Sequence, residues 1–359
     1  MTEKIILVTG SSGLIGRALC HRLGSSGDQV IGLDMEGPPY PPPRTDCIFV
    51  DLTSDESLQT AMFIVEERYG KCLDAVIHLA AYYNFSGKPS RLYDTLTYQG
   101  TKRLFNELKR FEVGQFIFSS TMLVHAPARS GETINENSPL LGTWAYPQSK
   151  IKTEKLIEQI HKGIPAVMLR IAGVYTDVCE CVPIAHQIQR IYEKSVTSHF
   201  YPGDMNAAQA FVHLDDLVDA FILVLDQRDK LAYYDVFLIG EEDAMSYDQL
   251  QQDISQHLFG CDWVTEPVPP PLAKAGAWTQ DIIPVVGKHA FIKPWMIDRA
   301  SDNYVLDTTK ARQQLAWQPR RSLRATLPSM IEGLKVDPER WYRLNHLHPT
   351  GHLKHKKAA

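Results

Sequence analysis

The 359-residue chain has no apolar run of about 18 residues, the length a membrane-crossing helix needs, so no membrane span is expected. Its first residues lead directly into a short apolar run, with neither a signal core nor a small-residue cleavage site, and the expected location is cytoplasmic. Cysteine is scarce. Six residues (Cys20, Cys47, Cys72, Cys179, Cys181 and Cys261) are scattered along the chain, which argues against a disulfide framework. Cys179 and Cys181 are close in sequence, but no further Cys or His stands at zinc-site spacing, so no metal is expected. Excess positive charge is also lacking: the formal net charge is -5, which gives no general attraction for nucleic acid. No internal repeat is present. Of the thirteen histidines, most are isolated and are expected at the surface or in loops. A hydrophobic content of 44% and a charged content of 22% are those of an ordinary globular protein, long enough for two closely joined domains.

What is present is an alternation. Short apolar runs at Ile5 to Val8, Val30 to Leu33, Ile48 to Val50, Ala75 to Leu79, Gln115 to Phe118 and Ala166 to Leu169 read as buried strands. Helical stretches lie between them at Leu14 to Leu23, Leu58 to Glu67 and Leu92 to Arg110. This pattern predicts an α/β Rossmann fold, a doubly wound parallel sheet with a smaller C-terminal α/β substrate lobe. Residues 1–175 form the expected first domain, its sheet completed by parts of 205–245, with a return strand near Val236 to Ile239. An interleaved substrate lobe is expected over 176–340, with a turn at Glu266 to Leu272 leading into an apolar helix near Ala273 to Val286. Residues 341–359 form the expected tail, basic and disordered after Pro349. Pro38 to Pro43 reads as a surface loop.

The first strand runs into Thr9-Gly10-Ser11-Ser12-Gly13-Leu14-Ile15-Gly16. Gly10 permits the tight turn, Gly13 leaves room for a pyrophosphate and Gly16 lets the helix pack on the strand. The helix N-terminus offers free N–H groups and a positive dipole end to phosphate. Asp34 ends the second strand, where a carboxylate accepts hydrogen bonds from a ribose and repels a 2′-phosphate. No arginine follows it directly, which favours NAD over NADP. Asp51, with Leu52 beside it, ends the third strand, within reach of an adenine edge or as a turn aspartate.

Tyr146 and Lys150 stand four apart, on one face of an expected helix. The ammonium is expected to lower the tyrosine pKa toward working pH, suiting it to proton exchange. Upstream, the apolar strand Phe116 to Phe118 ends in Ser119-Ser120-Thr121, which places a hydroxyl where open α/β sheets bind ligands.

Together these features resemble the extended short-chain dehydrogenase/reductase superfamily and, within it, the NAD-dependent epimerase/dehydratase family. The resemblance spans about residues 4–335. Its other markers are His78-Leu79-Ala80-Ala81, Leu169-Arg170, Phe211 to Asp216, Asp307 to Ala311 and Leu315 to Pro319. It implies reversible hydride transfer at a secondary alcohol or ketone of a sugar-like, small-molecule substrate. Tyr146 would be the general acid/base, Lys150 its electrostatic partner and Thr121 the assisting hydroxyl. Leu79, Ala80, Ala81 and Ser119 would line the NAD channel. The family commonly dimerises through a helix bundle, so a homodimer is expected.

The sequence also departs from the family pattern. Met122 stands where dehydratases carry an acid, which argues against 4,6-dehydration. Thr97 replaces a common Asn, and Val124-His125-Ala126 replaces Val-Tyr-Gly. On the substrate side, Gly173 replaces an Asn and Gln209 an Arg that pairs with diphosphate, while Arg299 fits a second phosphate-binding arginine. Tyr82 to Ser86, with Tyr83 and Asn84 as candidate contacts, reads as a loop over the substrate mouth. The segment around Phe291 to Trp295 resembles instead the 3β-hydroxysteroid dehydrogenase and dihydroflavonol-reductase branch, which takes apolar alcohols. A non-catalytic NAD(H) sensor is the alternative from another class. Such relatives typically lose the Tyr/Lys pair that this chain keeps.

Overall fold

The computed structural model describes residues 3–37, 41–84, 87–273 and 294–349. In chain order the strands are β1 (Ile5–Thr9), β2 (Gln29–Asp34), β3 (Thr45–Phe49), β4 (Cys72–Leu73), β5 (Ala75–His78), β6 (Glu112–Val113) and β7 (Phe116–Thr121). They continue with β8 (Ala166–Ile171), β9 (Gly173–Tyr175), β10 (Phe200–Tyr201), β11 (Phe211–His213), β12 (Tyr234–Ile239) and β13 (Glu266–Pro267). Seven of them form one parallel sheet in the order β12-β8-β7-β5-β1-β2-β3. The central strands read as unbroken apolar runs because helices cover both faces. One face packs Ile6, Val8, Ile117 and Leu169 under α1 (Leu14–Ser25) and α6 (Leu214–Asp226). The other packs Leu7, Val76 and Phe116 under α2 (Asp55–Tyr69) and α3 (Gln99–Leu108).

The strand order reverses between β1 and β5, which opens a crevice at their C-terminal ends. The expected return to the sheet is β12, paired along its whole length with β8. Above this end, α5 (Val182–Tyr192), α7 (Tyr247–Phe259) and the helix Leu323–Val336 gather around a third core containing Tyr175, Ile184, Phe211 and Met330.

Several expectations change. The expected boundary at 341 falls inside the helix Pro338–Leu344, where Trp341 and Tyr342 are buried in the lobe core. Asn345 continues the docking by accepting from Glu180 N at 2.8 Å. Thus 341–348 belong to the lobe, and Thr350 to Ala359 lie outside the described residues. The Phe211 to Asp216 marker spans strand β11 and the start of α6 at Leu214. The stretch before α3 is a π-helical turn, Tyr93–Tyr98. Four histidines, His78, His125, His161 and His213, are interior, and each finds hydrogen-bonding or capping partners there. All six cysteines are free. The expected apolar helix after Ala273, and Phe291 to Lys293, lie outside the described residues. No helix among the described residues is long and apolar enough to cross a membrane.

Candidate active site

The β1–α1 loop is shaped by close backbone approach. Gly10 adopts φ +73°, and a Cβ there would lie 2.8 Å from Ala80 N. A Cβ on Gly16 would lie 2.1 Å from Gly10 O, so only glycine lets α1 start this close to β1. Gly13 differs: its Cβ would meet only Gly10 O, at 3.4 Å, leaving room on its outer side. Gly13 is also the N-cap of α1 and has no side-chain cap, so the amides of Leu14, Ile15 and Gly16 at the helix start face a ligand position. The Asp34 carboxylate is fixed beside the loop, accepting from Ser12 N at 2.9 Å and from Met35 N at 2.7 Å. Loop, helix end and carboxylate together fit the phosphates and ribose of NAD. Asp51 is engaged locally, its Oδ1 accepting from Thr53 N and Oγ1, and Leu52 is buried against Gly100.

A buried chain of hydrogen bonds ties this loop to the next strand end. Ala80 N donates to Thr9 Oγ1 at 3.3 Å, and Thr9 Oγ1 lies 2.6 Å from His78 Nδ1. His78 Nε2 lies 2.8 Å from Thr101 Oγ1, which itself donates to Thr97 O at 2.6 Å. Because that donation uses the Thr101 proton, His78 must carry its hydrogen on Nε2 and accept at Nδ1. Burial, then the Lys150 charge, push His78 down to about 3, so the ring stays neutral as the chain requires. Thr97 accepts from Tyr82 N at 3.0 Å, so the Thr that stands in place of Asn fixes the loop over the site.

Tyr146 and Lys150 lie in the first turns of α4 (Ala145–Ile160), where Pro147 is tolerated because first-turn amides lack helical acceptors. Lys150 Nζ donates to Ser119 O at 2.6 Å and lies 5.9 Å from the Tyr146 ring centre. Ser119 Oγ in turn donates to His78 O at 3.3 Å. Thr121 hydrogen-bonds to the Tyr146 phenol, which opposes the upward shift that burial imposes on it. The expected lowering of the tyrosine pKa by its lysine is therefore not what the protein shows without ligand. Burial dominates both groups, raising Tyr146 and bringing Lys150 down to about 7, with Glu154 partly restoring the lysine. Tyr83 and Trp144 bracket the phenol, at ring-centre distances of 4.9 and 5.5 Å.

A cavity of about 280 Å³ opens in the lobe. Gln209 and Arg299 both line it, as do Arg190, Tyr201, Phe211 and Tyr247. Arg299 Nη2 donates to Thr143 O at 3.0 Å, tying the cavity wall to the segment that carries Tyr146. Gly173 does not line this cavity: a Cβ there would lie 2.6 Å from the Phe211 ring, so it is the packing floor for that ring. Asn84 sits in the loop with its Nδ2 donating to Tyr82 OH at 3.0 Å. Phe85 and Ser86 lie outside the described residues.

A family model described as NAD dependent epimerase/dehydratase family matches residues 6–240. The chain belongs to this family. It is therefore an NAD-dependent oxidoreductase or epimerase of the extended short-chain dehydrogenase/reductase type, with NAD as its cofactor. A UDP-glucose 4-epimerase of Lactobacillus helveticus is 25% identical over 340 residues, 88% of this chain and 92% of that protein. A dTDP-6-deoxy-L-talose 4-dehydrogenase (NAD(P)(+)) of Kitasatospora kifunensis is 24% identical over 348 residues, 93% of this chain and 96% of that protein. In fold, the chain is similar to the UDP-glucose 4-epimerase of Thermotoga maritima solved with UDP-glucose, at a TM-score of 0.67 and 23% identity, covering 93% of this chain and all of that one.

Arg190, Tyr201 and Tyr247 of the cavity wall were not legible in the sequence. They come from α5, β10 and α7, and no local motif joins them.

Proposed function

We propose that this family member oxidises and re-reduces a secondary alcohol of a nucleoside-diphosphate sugar, with Tyr146 exchanging the proton. The carrying observation is the Thr121–Tyr146–Lys150 group linked through Thr143 and Arg299 to a cavity with a second arginine and stacked tyrosines in its wall. The relatives named above act on UDP-glucose and on a dTDP-linked deoxysugar, which fits such a wall. Asp34 and the glycine loop hold NAD, which supplies the hydride acceptor and donor when bound. Thr121 orients the reacting oxygen, Tyr146 takes and returns its proton, and Lys150 carries a variable charge beside it. Met122 is buried and offers no acid for dehydration, so the proposal is confined to redox at the alcohol. Tyr83 and Asn84 form the loop over the sugar, and Gln209 and Arg299 contact the distal part of the substrate. The same reading carries a cytoplasmic homodimer; a monomer mass in sedimentation would reject the dimer.

The test is incubation of purified protein with NAD and UDP- and dTDP-hexoses, following both NADH absorbance and sugar configuration. Inversion without net NADH marks an epimerase, and stoichiometric NADH marks a dehydrogenase. Turnover of apolar secondary alcohols alone would support the second reading, which the Phe200, Phe211, Met245 and Met296 side chains of the cavity wall favour. Tight NADH binding without turnover of any of these would point to a sensor.

A further inference from the structure

We infer that Arg190, rather than position 209, supplies the second cation of the substrate's anion site, working with Arg299 on a diphosphate. The inference takes its ligand class from the nucleotide-sugar reading, but its evidence is separate. Gln209, where an arginine is expected, is neutral, yet the cavity it lines is not. Arg190 enters from α5, anchored at one end by donating from Nη2 to Thr197 O. Its Nε is buried and has no hydrogen-bond partner among the described residues. No ion pair involving Arg190 occurs among the described residues. By contrast, Arg299 is paired with Asp302 at 3.5 Å.

Two further groups on this wall point the same way. The Tyr247 ring stacks on Tyr201 at 3.5 Å between centres. Its buried hydroxyl faces Arg190, whose charge and side-chain hydrogen bond oppose the upward pKa shift that burial gives the phenol. His186 is pushed down to about 4, by burial first and by Arg190 second, so it adds no charge at neutral pH. The formal charges of the lining are then Arg190 and Arg299 against Asp302, one positive in excess. A buried guanidinium Nε–H without a partner, in a cavity with one positive charge in excess, calls for an acceptor that bears several oxygens and a negative charge. A diphosphate is such an acceptor. The charge missing at 209 has in effect moved across the cavity to α5.

The inference is tested on the NADH-saturated enzyme, so that the phosphate loop is filled, by calorimetric titration with UDP, dTDP, uridine and inorganic pyrophosphate. R190Q should weaken UDP, dTDP and pyrophosphate on the order of tenfold to a hundredfold, the effect of losing a charge-assisted hydrogen bond. Uridine affinity, NADH affinity and the melting temperature should stay as in wild type. Adding Q209R to R190Q should restore UDP binding, because it returns a cation to the cavity lining. UDP binding by R190Q as tight as wild type would overturn the inference and leave the substrate reading standing. Arg190-dependent pyrophosphate binding with no gain from a nucleoside would uphold it and remove that reading. R190K separates charge from packing: retained affinity supports the inference, whereas equal loss in R190K and R190Q with lowered melting would assign Arg190 to helix packing and overturn it.

Discussion

The two halves of the active site are built in opposite ways. The cofactor half comes from contiguous chain: the seven residues from Gly10 to Gly16 make the turn, clear the phosphate path and start α1, and Asp34 closes the next strand. The proposed substrate half is assembled from α5, β10, β11, α7 and the 296–302 segment, stretches far apart in the chain. Where function needs a backbone shape, local sequence has to encode it. Where function needs only a charge in a cavity, any wall can supply it, and the residue can move.

Breaking the catalytic centre should have the largest effect. Tyr146→Phe should lower turnover on any accepted substrate by about a hundredfold to ten-thousandfold, with NADH affinity kept. Equal turnover in steady-state assays would remove Tyr146 from the proton step. Within the cofactor half, two alanines should separate fold from ligand. Gly16→Ala forces a methyl within 2.1 Å of Gly10 O and should cost about 1–3 kcal/mol of stability, seen as a lower melting temperature. Gly13→Ala meets nothing closer than 3.4 Å, so melting should hold while NADH titration shows clear weakening.

Lys150 gives a pH signature. Its pKa falls from 10.5 unfolded to about 7 folded, so between these values the unfolded chain binds more protons and stability rises with pH. The slope approaches about 1.4 kcal/mol per pH unit near the middle of the window. Denaturation of the ligand-free protein from pH 7.5 to 9.5 (roughly, inside that window) should show this slope, and Lys150→Met should flatten it. Parallel curves for both proteins would mean that the lysine is solvated in the native state. The smallest effect is expected at the seam between the halves. Gly173→Ala presses on the Phe211 ring and should raise substrate KM a few-fold, roughly the cost of slight overpacking, without changing NADH binding. An unchanged KM would detach Phe211 from the substrate wall.

The seven-stranded sheet was legible from apolar runs because buried parallel strands are apolar throughout. The late return of β12 was legible for the same reason. Which histidines are interior was not legible because their burial depends on partners distant in sequence: His78 needs Thr9 and Thr101, and His125 needs Ser138 and Arg170. The end of the lobe was placed too early because a tryptophan and a tyrosine in a polar stretch reveal burial only when a core receives them.

The sequence by itself determined the fold class, the phosphate loop, the ribose carboxylate and the Tyr146/Lys150 spacing. Each is a backbone or helix-period constraint within a few turns of chain. Tertiary structure decided the protonation tendencies of that pair, since burial outweighs the neighbouring charge, and the tautomer of His78. It also decided which cations line the lobe cavity. Desolvation and cavity walls are properties of segments brought together from far apart, and no local spacing carries them.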